Sequence, residues 1–592
     1  MSSTHLFSRR RMAPVICLAM FAALQAGAQV FVVPGGAGAA DGTSWTSAYG
    51  DLAAALADAR AAAEDVWVAA GTYQVRSLEW PTEVAGYGGF AGLESQLSER
   101  NVAANETILD AGGVERAVFV MNGATNTRID GFTIKNAIMD GGGPHVTFAG
   151  SALTYNGVDA TNTVANCRIV DNGPGGHGNV FLQGSHTRFE NCVFENNQSP
   201  GVSVCMLVND GSQPLIENCV FRNNGGATNS HHGSLAVRGV DSHPTVINCL
   251  FENNTAPGGG AGGGLSVQET GAATIIGCDF IGNSASHGGA IADWGGNGSM
   301  TIERCRFFDN TTLGGGHGAA IAVHSTTSTV DITNCLFHGN IATGISSAVF
   351  AWVSTSVTTL SHCSFSQNIA ADDVIRADGD PHIDLENCVV WDNGPGLVRG
   401  NVAVANSIVQ GGHFGGIDAD PLFADAPGGD LRLMPGSPAI DAATGTPPAT
   451  DILGVERPQG AAAELGAYEY IPFGITLDAP NVVIVGDDVT LSFGMGTVYD
   501  TLTPTSYQWY YNGELIQGES GPSLSLSDVG FDASGQYTLV VDIAGQQYTA
   551  SYTMNVSPPV PAASVFGLLL AVLALAAMGG ALALRSTQST QA

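Results

Sequence analysis

Three observations predict that most of this chain is a right-handed parallel β-helix. The phrase apolar-x-x-Cys-x-apolar-x-x-Asn recurs nine times between Cys167 and Cys388, at intervals of 25 to 30 residues, the length of one coil in a stacked array. Val, Ile, Thr, Asn and Gly dominate the repeats, and no helical hydrophobic period runs through a coil, which excludes helical-hairpin repeats. The inward positions fall at −3, 0 and +2 from each Cys, so strand alternation breaks before the Cys and holds after it.

That break requires a corner at −1. Six of the nine coils place Asn there, and Asn tolerates the left-handed conformation of a tight bend. The −3 position runs from Val164 and Phe189 to Leu360 and Leu385, and the +2 position is Phe in seven coils, with Ile169 and Val390 in the others. The Asn at +5 is expected to end the second strand. Gly-rich loops follow, and a third apolar segment such as Leu265-Ser266-Val267, Ile291-Ala292-Asp293 or Ile321-Ala322-Val323 completes the coil. Stacking sets equivalent residues about 4.8 Å apart, so Cys and Phe should form interior ladders. The nine repeat cysteines then pack as small, soft apolar residues and are expected to stay free thiols rather than bridges. No Cys-x-x-Cys or nearby His spacing marks a metal centre.

The two ends set the expected compartment. Arg9-Arg10-Arg11, an apolar run from Met12 to Leu24 and Ala26-Gly27-Ala28 read as a secretory signal peptide over 1–28, cleaved after Ala28. Ala562 to Leu584 is almost wholly apolar, long enough for a transmembrane helix, and is followed by a single charge, Arg585. The chain carries 53 acidic against 20 basic residues, a formal charge of −33, with Lys135 its single lysine. Such a surface excludes nucleic acid as a partner, because phosphate binding needs a basic face.

Several segments resemble known families. Val560-Pro561-Ala562-Ala563-Ser564-Val565-Phe566-Gly567-Leu568, with the span that follows, resembles the PEP-CTERM and IPTL-CTERM sorting signals of Gram-negative bacteria, which places 557–592 as a sorting tail. Asp418-Ala419-Asp420-Pro421-Leu422-Phe423, Gly436-Ser437-Pro438-Ala439-Ile440-Asp441, Asp451-Ile452-Leu453-Gly454-Val455-Glu456-Arg457 and Glu464-Leu465-Gly466-Ala467-Tyr468-Glu469 resemble the choice-of-anchor Q module. The resemblance implies a cap over the last coil, at 413–472, and its aspartates make calcium the one ion to consider; no other cofactor is expected. Tyr507-Gln508-Trp509-Tyr510-Tyr511-Asn512-Gly513 and Asp532-Ala533-Ser534-Gly535-Gln536-Tyr537 look like an immunoglobulin-like β-sandwich over 475–556, with Trp509 in the core, Tyr537 at the tyrosine corner, and Leu491 and Leu539 where that family often has Cys. Asp41-Gly42-Thr43-Ser44-Trp45, a helical run from Leu52 to Ala63, Val66 to Tyr73 and Tyr87 to Gly92 look like the entry of pectin-lyase-like surface β-helices, so 29–117 should hold an N-terminal cap and the first coils, and 118–412 the repeats. Phe280-Ile281-Gly282-Asn283 with Gly288-Gly289-Ala290-Ile291 is similar to polymorphic outer-membrane proteins, which are associated with adhesion.

The fold alone does not choose between binder and enzyme. Polysaccharide hydrolases need two carboxylates about 5 to 9.5 Å apart. Gly176-His177-Gly178 and Gly316-His317-Gly318 echo a polygalacturonase element, but its companion motifs are not in order, and no catalytic residue is assigned. Asp372-Asp373 near Arg376, Asp378 and Asp380 is the best carboxylate cluster, with a solvated loop as its plain reading. His287 and His317, each eighteen before its Cys, should be neighbours, and whether they hold a metal is left open. The candidate ligand-binding residues are Arg238, Gln268, Trp294, His324 and Trp352, one place past an inward position of the third strand on successive coils. They should form an outward stripe suited to an extracellular glycan. Aromatic pairs that merely stabilise the sheet are the alternative. The sequence thus suggests an exported protein of the cell envelope or surface, held by its C-terminal membrane segment, an adhesin or matrix component, with a polysaccharide lyase or glycoside hydrolase as the second possibility.

Overall fold

The computed structural model describes residues 29–557 apart from short stretches at 139–149, 174–176, 200–204, 226–231, 296–297, 353–354, 471–474, 479–482, 485–486, 496–503 and 544–545. The segments expected as a signal peptide, 1–28, and as a membrane span, 562–584, lie outside the described residues, within which no helix is long and apolar enough to cross a membrane. The chain divides into two compact units, the first ending at Tyr470.

The first unit is a parallel β-helix whose three sheets hold 14, 13 and 12 strands. In one coil Thr245–Ile247 belongs to the first sheet, Leu250–Glu252 to the second and Leu265–Gln268 to the third. Each lies parallel to its counterpart on the next coil, so that Val246 faces Ile275, Phe251 faces Phe280 and Val267 faces Asp293. The stack begins well before the repeats, where Gln29–Val32 pairs with Asp65–Ala69. Helix α1 occupies Leu52–Ala62: Asp51 accepts the Ala53 N–H at its start, and left-handed Ala63 ends it. Its buried face, Leu52, Ala55, Leu56 and Ala59, joins the core of the first coils.

The corner at −1 is left-handed on all nine repeat coils, at φ 52° for Asn248 and at 63°, 55° and 51° for Gly277, Arg304 and His362, which stand where others have Asn. A second left-handed residue follows four places after each Cys, for example Asn196, Asn223 and Asn253. Two bends per coil interrupt the backbone ladder, and side chains repair it. The Cys219 N–H donates to Cys249 Sγ at 3.3 Å. Likewise the Asn254 N–H and its own Nδ2 both donate to Asn283 Oδ1 at 3.0 Å, while Nδ2 also reaches the Phe221 carbonyl at 2.8 Å. An unpaired buried amide costs about 1–3 kcal/mol, so both rows do more than fill space. Beside them the rings from Phe194 to Phe365 stack at centroid distances of 4.5 to 5.2 Å. The ten described cysteines are buried and free.

The segment from 413 to 472 meets the end of the stack and also runs along the flank of several coils. Asn334 Nδ2 donates to the Thr450 carbonyl at 2.6 Å, the Ala467 N–H to Ser364 Oγ at 2.9 Å, and the Gly466 N–H to the Asn387 carbonyl at 2.8 Å. The −1 residues Asn334 and Asn387 contribute side chains to this seam, the latter donating from Nδ2 to the Thr444 carbonyl at 3.0 Å, and Ser364 contributes beside them. The end of the stack is met by Ile417, which bridges Ile408. Within the flank segment Arg457 is fully buried; it donates to the Glu464 and Gly466 carbonyls at 3.1 and 2.8 Å and lies 3.8 Å from the Glu469 carboxylate.

The second unit is mostly antiparallel, with one short parallel pair, Val483–Ile484 against Val556–Ser557. Pro504–Tyr511 pairs with Gly535–Ile543, which pairs with Gln546–Met554. Trp509, Leu491, Leu539 and Tyr537 are buried together, and the Tyr537 hydroxyl donates to the Ala533 carbonyl at 3.1 Å.

Candidate functional site

The third sheet places the stripe as a single row. Register pairs Arg238 with Gln268, Gln268 with Trp294, and Trp294 with His324. Val323 opposite Ala351 carries the row on to Trp352, which pairs with Asp378. The row also runs back through Asn209, Gln183 and Asn156, polar residues that the sequence did not single out because they precede the aromatic members.

The five members differ in what they offer. Arg238 is committed to Glu269, with Nε 2.7 Å from Oε1. Gln268 is buried, its amide donating to Ser266 Oγ at 3.3 Å. Trp294 lies between two imidazoles, His287 at 5.1 Å and 24° and His324 at 4.2 Å and 22°. Its indole is therefore engaged by two neighbouring rings. The coil spacing brings Trp294 and His324 together, because the two are paired in register. Trp352 closes the column: it sits 5.0 Å from His324 at 50° and remains 43 % exposed.

His287 and His317 come from a short three-stranded sheet made of Thr255–Ala261, Ser284–His287 and Thr311–His317. Their rings are 5.4 Å apart, and His317 packs on Phe350 at 5.2 Å. The outward positions between the two rows are small or buried, with Ser266, Ala292 and Ala322 all inaccessible. His317 Nδ1 accepts the Ile345 N–H at 3.2 Å, which puts its proton on Nε2. Burial, then the neighbouring His317 and His324, push His287 down to about 4, and burial lowers His317 and His324 as well. These rings are neutral at physiological pH. Among the described residues no group of three or more His, Cys, Asp or Glu is arranged to hold a metal ion.

Beyond Trp352 the row turns charged. Arg376 Nε holds Asp378 at 2.8 Å, and its Nη1 reaches Asp373 at 3.3 Å and Asp372 at 3.4 Å. Asp380 is not among its partners. Asp373 is one-tenth exposed, and desolvation raises its pKa against the pull of Arg376. Asp372 and Arg399 stay open to solvent. The sequence marked this carboxylate cluster; its contact with the aromatic column follows from register alone.

No curated protein matches the chain. The family model for a right handed beta helix region matches residues 116–239 and 205–349, which include Arg238, Gln268, Trp294 and His324 and stop before Trp352. With the parallel register of the coils, that match identifies the repeat region as a right-handed parallel β-helix.

Proposed function

We propose that the chain is an exported, envelope-anchored surface protein whose β-helix binds an extracellular glycan at the Trp352 end of the third-sheet row. The observation that carries this reading is the exposed Trp352 ring, tilted against His324 on the coil before it and paired in register with Asp378 on the coil after it. An aromatic plane beside fixed carboxylates and a guanidinium suits a sugar, whose C–H face packs on the ring while its hydroxyls bond the charged groups. The flank segment serves as the choice-of-anchor Q module, and the antiparallel unit as an immunoglobulin-like spacer, a reading supported by buried Trp509 and Tyr537. The signal peptide and sorting tail deliver the chain to the envelope and hold it there through the C-terminal transmembrane helix.

A glycan array on the secreted body tests this. Binding that falls at least tenfold in Trp352→Ala, with melting unchanged, is the expected result; no ligand on the array, or equal binding by the variant, sinks it. A second reading, a pectin-lyase-like polysaccharide lyase or glycoside hydrolase, is favoured by the shielded Asp373 beside Asp378 on one guanidinium. Turnover of a polysaccharide, abolished in Asp373→Asn, would establish that reading instead.

A further inference from the structure

The −1 corner carries Asn on most coils, and two neighbouring corners depart from that row. Gly277 follows Asn248 in the stack, and Arg304 follows Gly277. The glycine leaves a gap, because a Cβ on it would stand 2.7 Å from Asn248 Oδ1. Opposite these corners the flank segment brings up Ile452, Leu453 and Tyr468, and a cleft of about 540 Å³ lies between the two walls. That is the size of a small-molecule site. Arg304 lines the cleft with its Nε buried and without a hydrogen-bond partner; among the described residues its ion contact is to Glu303 Oε1, at 3.4 Å. Arg306 lines it too, but is committed to Asp279, whose two oxygens it holds at 2.6 and 2.5 Å. Burial, then Asp430, pushes the Tyr468 hydroxyl up to about 12, so it keeps its proton and can donate.

A guanidinium without a hydrogen-bonded partner in a concave site is suited to a carboxylate, whose two oxygens match its fork of N–H groups. Two guanidiniums and one carboxylate line the cleft, so its walls carry one net positive charge in a chain of formal charge −33. A monoanion balances that charge, whereas a phosphate ester brings about −1.5 to −2 at neutral pH. We propose that the cleft binds a small hydroxylated carboxylic acid, its carboxylate on Arg304 and its hydroxyls on Asn248, Asp279 and Tyr468. Ile452 and Leu453 give its C–H groups an apolar wall. Two aliphatic side chains do not make the apolar tunnel that a fatty acid needs. The cleft shares no residue with the Trp352 surface, so the proposal stands apart from the glycan reading.

Isothermal titration of the full chain with glucuronate, gluconate and lactate tests the proposal, at low ionic strength so that the charge is not screened. Glucose and inorganic phosphate are the controls. At least one of the acids should bind with a Kd of about 1 mM or tighter, phosphate about tenfold more weakly, and glucose not at all. Arg304→Asn and Gly277→Asn each restore the residue that the row carries on other coils, so both should fold, as melting will show. The first removes the guanidinium and the second fills the gap. Binding should fall about tenfold or more in either variant, and if one of them does not fold the other decides. No binding by any of the acids, unchanged binding in a folded corner variant, or phosphate or glucose binding as tightly as the acids would each overturn the proposal.

Discussion

The backbone N–H of Cys249 donates to the thiol sulfur of Cys278, one coil further on, at 3.4 Å. That sulfur lies 3.4 Å from the Ile276 carbonyl and 3.6 Å from the Val246 carbonyl, so its own proton has acceptors waiting. The thiol is thus an acceptor on one side and a donor on the other. Burial, reinforced by the flanking cysteines, keeps the Cys278 pKa well above its ordinary value, which preserves that proton. The row ends without a sulfur: the Cys388 N–H donates to Ser407 Oγ at 2.9 Å.

Replacement of Cys278 by Ser should therefore be milder than replacement by Ala. Ser keeps an acceptor for the Cys249 amide, whereas Ala leaves that amide unpaired and adds a small cavity, a loss of about 1–3 kcal/mol. Urea unfolding of the two variants measures the difference. Equal losses would show that volume alone accounts for the row.

The two tryptophans should separate packing from binding. Trp294→Ala removes a ring stacked against both His287 and His324 and should lower stability by about 2–4 kcal/mol. Trp352→Ala, at a position 43 % exposed, should leave unfolding within about 1 kcal/mol of wild type. Calorimetry on both variants checks this, and the reverse order would move the open edge of the column elsewhere.

Glu464 should make the chain more stable in mild acid. It is fully buried, and burial together with Glu469 raises its carboxyl pKa to about 9. In the unfolded chain the group ionises near its ordinary value of about 4.3. Its stabilising contribution is therefore complete below that pH and is lost as pH rises toward the folded-state value. Melting should fall between pH 5 and pH 8, and Glu464→Gln should flatten that fall. Identical slopes for wild type and variant would place the source in the general acidity of the surface.

The sequence revealed the coil, the inward registers and the −1 corner because these repeat at a fixed period, and a period needs no knowledge of partners. It did not reveal why Cys and Asn hold their rows, since the amide each one satisfies belongs to a different coil. The second left-handed bend was hidden by its variable residues, among them Asp171, Gly282 and Gln367. Asp293 passed as part of an apolar segment because alternation alone assigns a position, not the chemistry it receives. In the candidate site the row was legible from spacing, whereas the burial of Gln268 does not follow from that spacing and the contact of Trp294 with His287 depends on the short sheet beside it.

The parallel register of the coils has a mechanical consequence. Hydrogen bonds between coils run along the axis of the stack, so a pull on its two ends loads a few of them at a time rather than all at once. Each coil that peels away frees 25 to 30 residues, roughly 90 Å of extended chain. Under tension the β-helix should lengthen coil by coil, and a single-molecule stretching trace should show steps of that size. Rupture in one event would mean that the Phe and Asn columns bind the coils into a single mechanical body. Stepwise release would let the protein absorb shear and recover afterwards, a spring whose stroke is set by the number of coils.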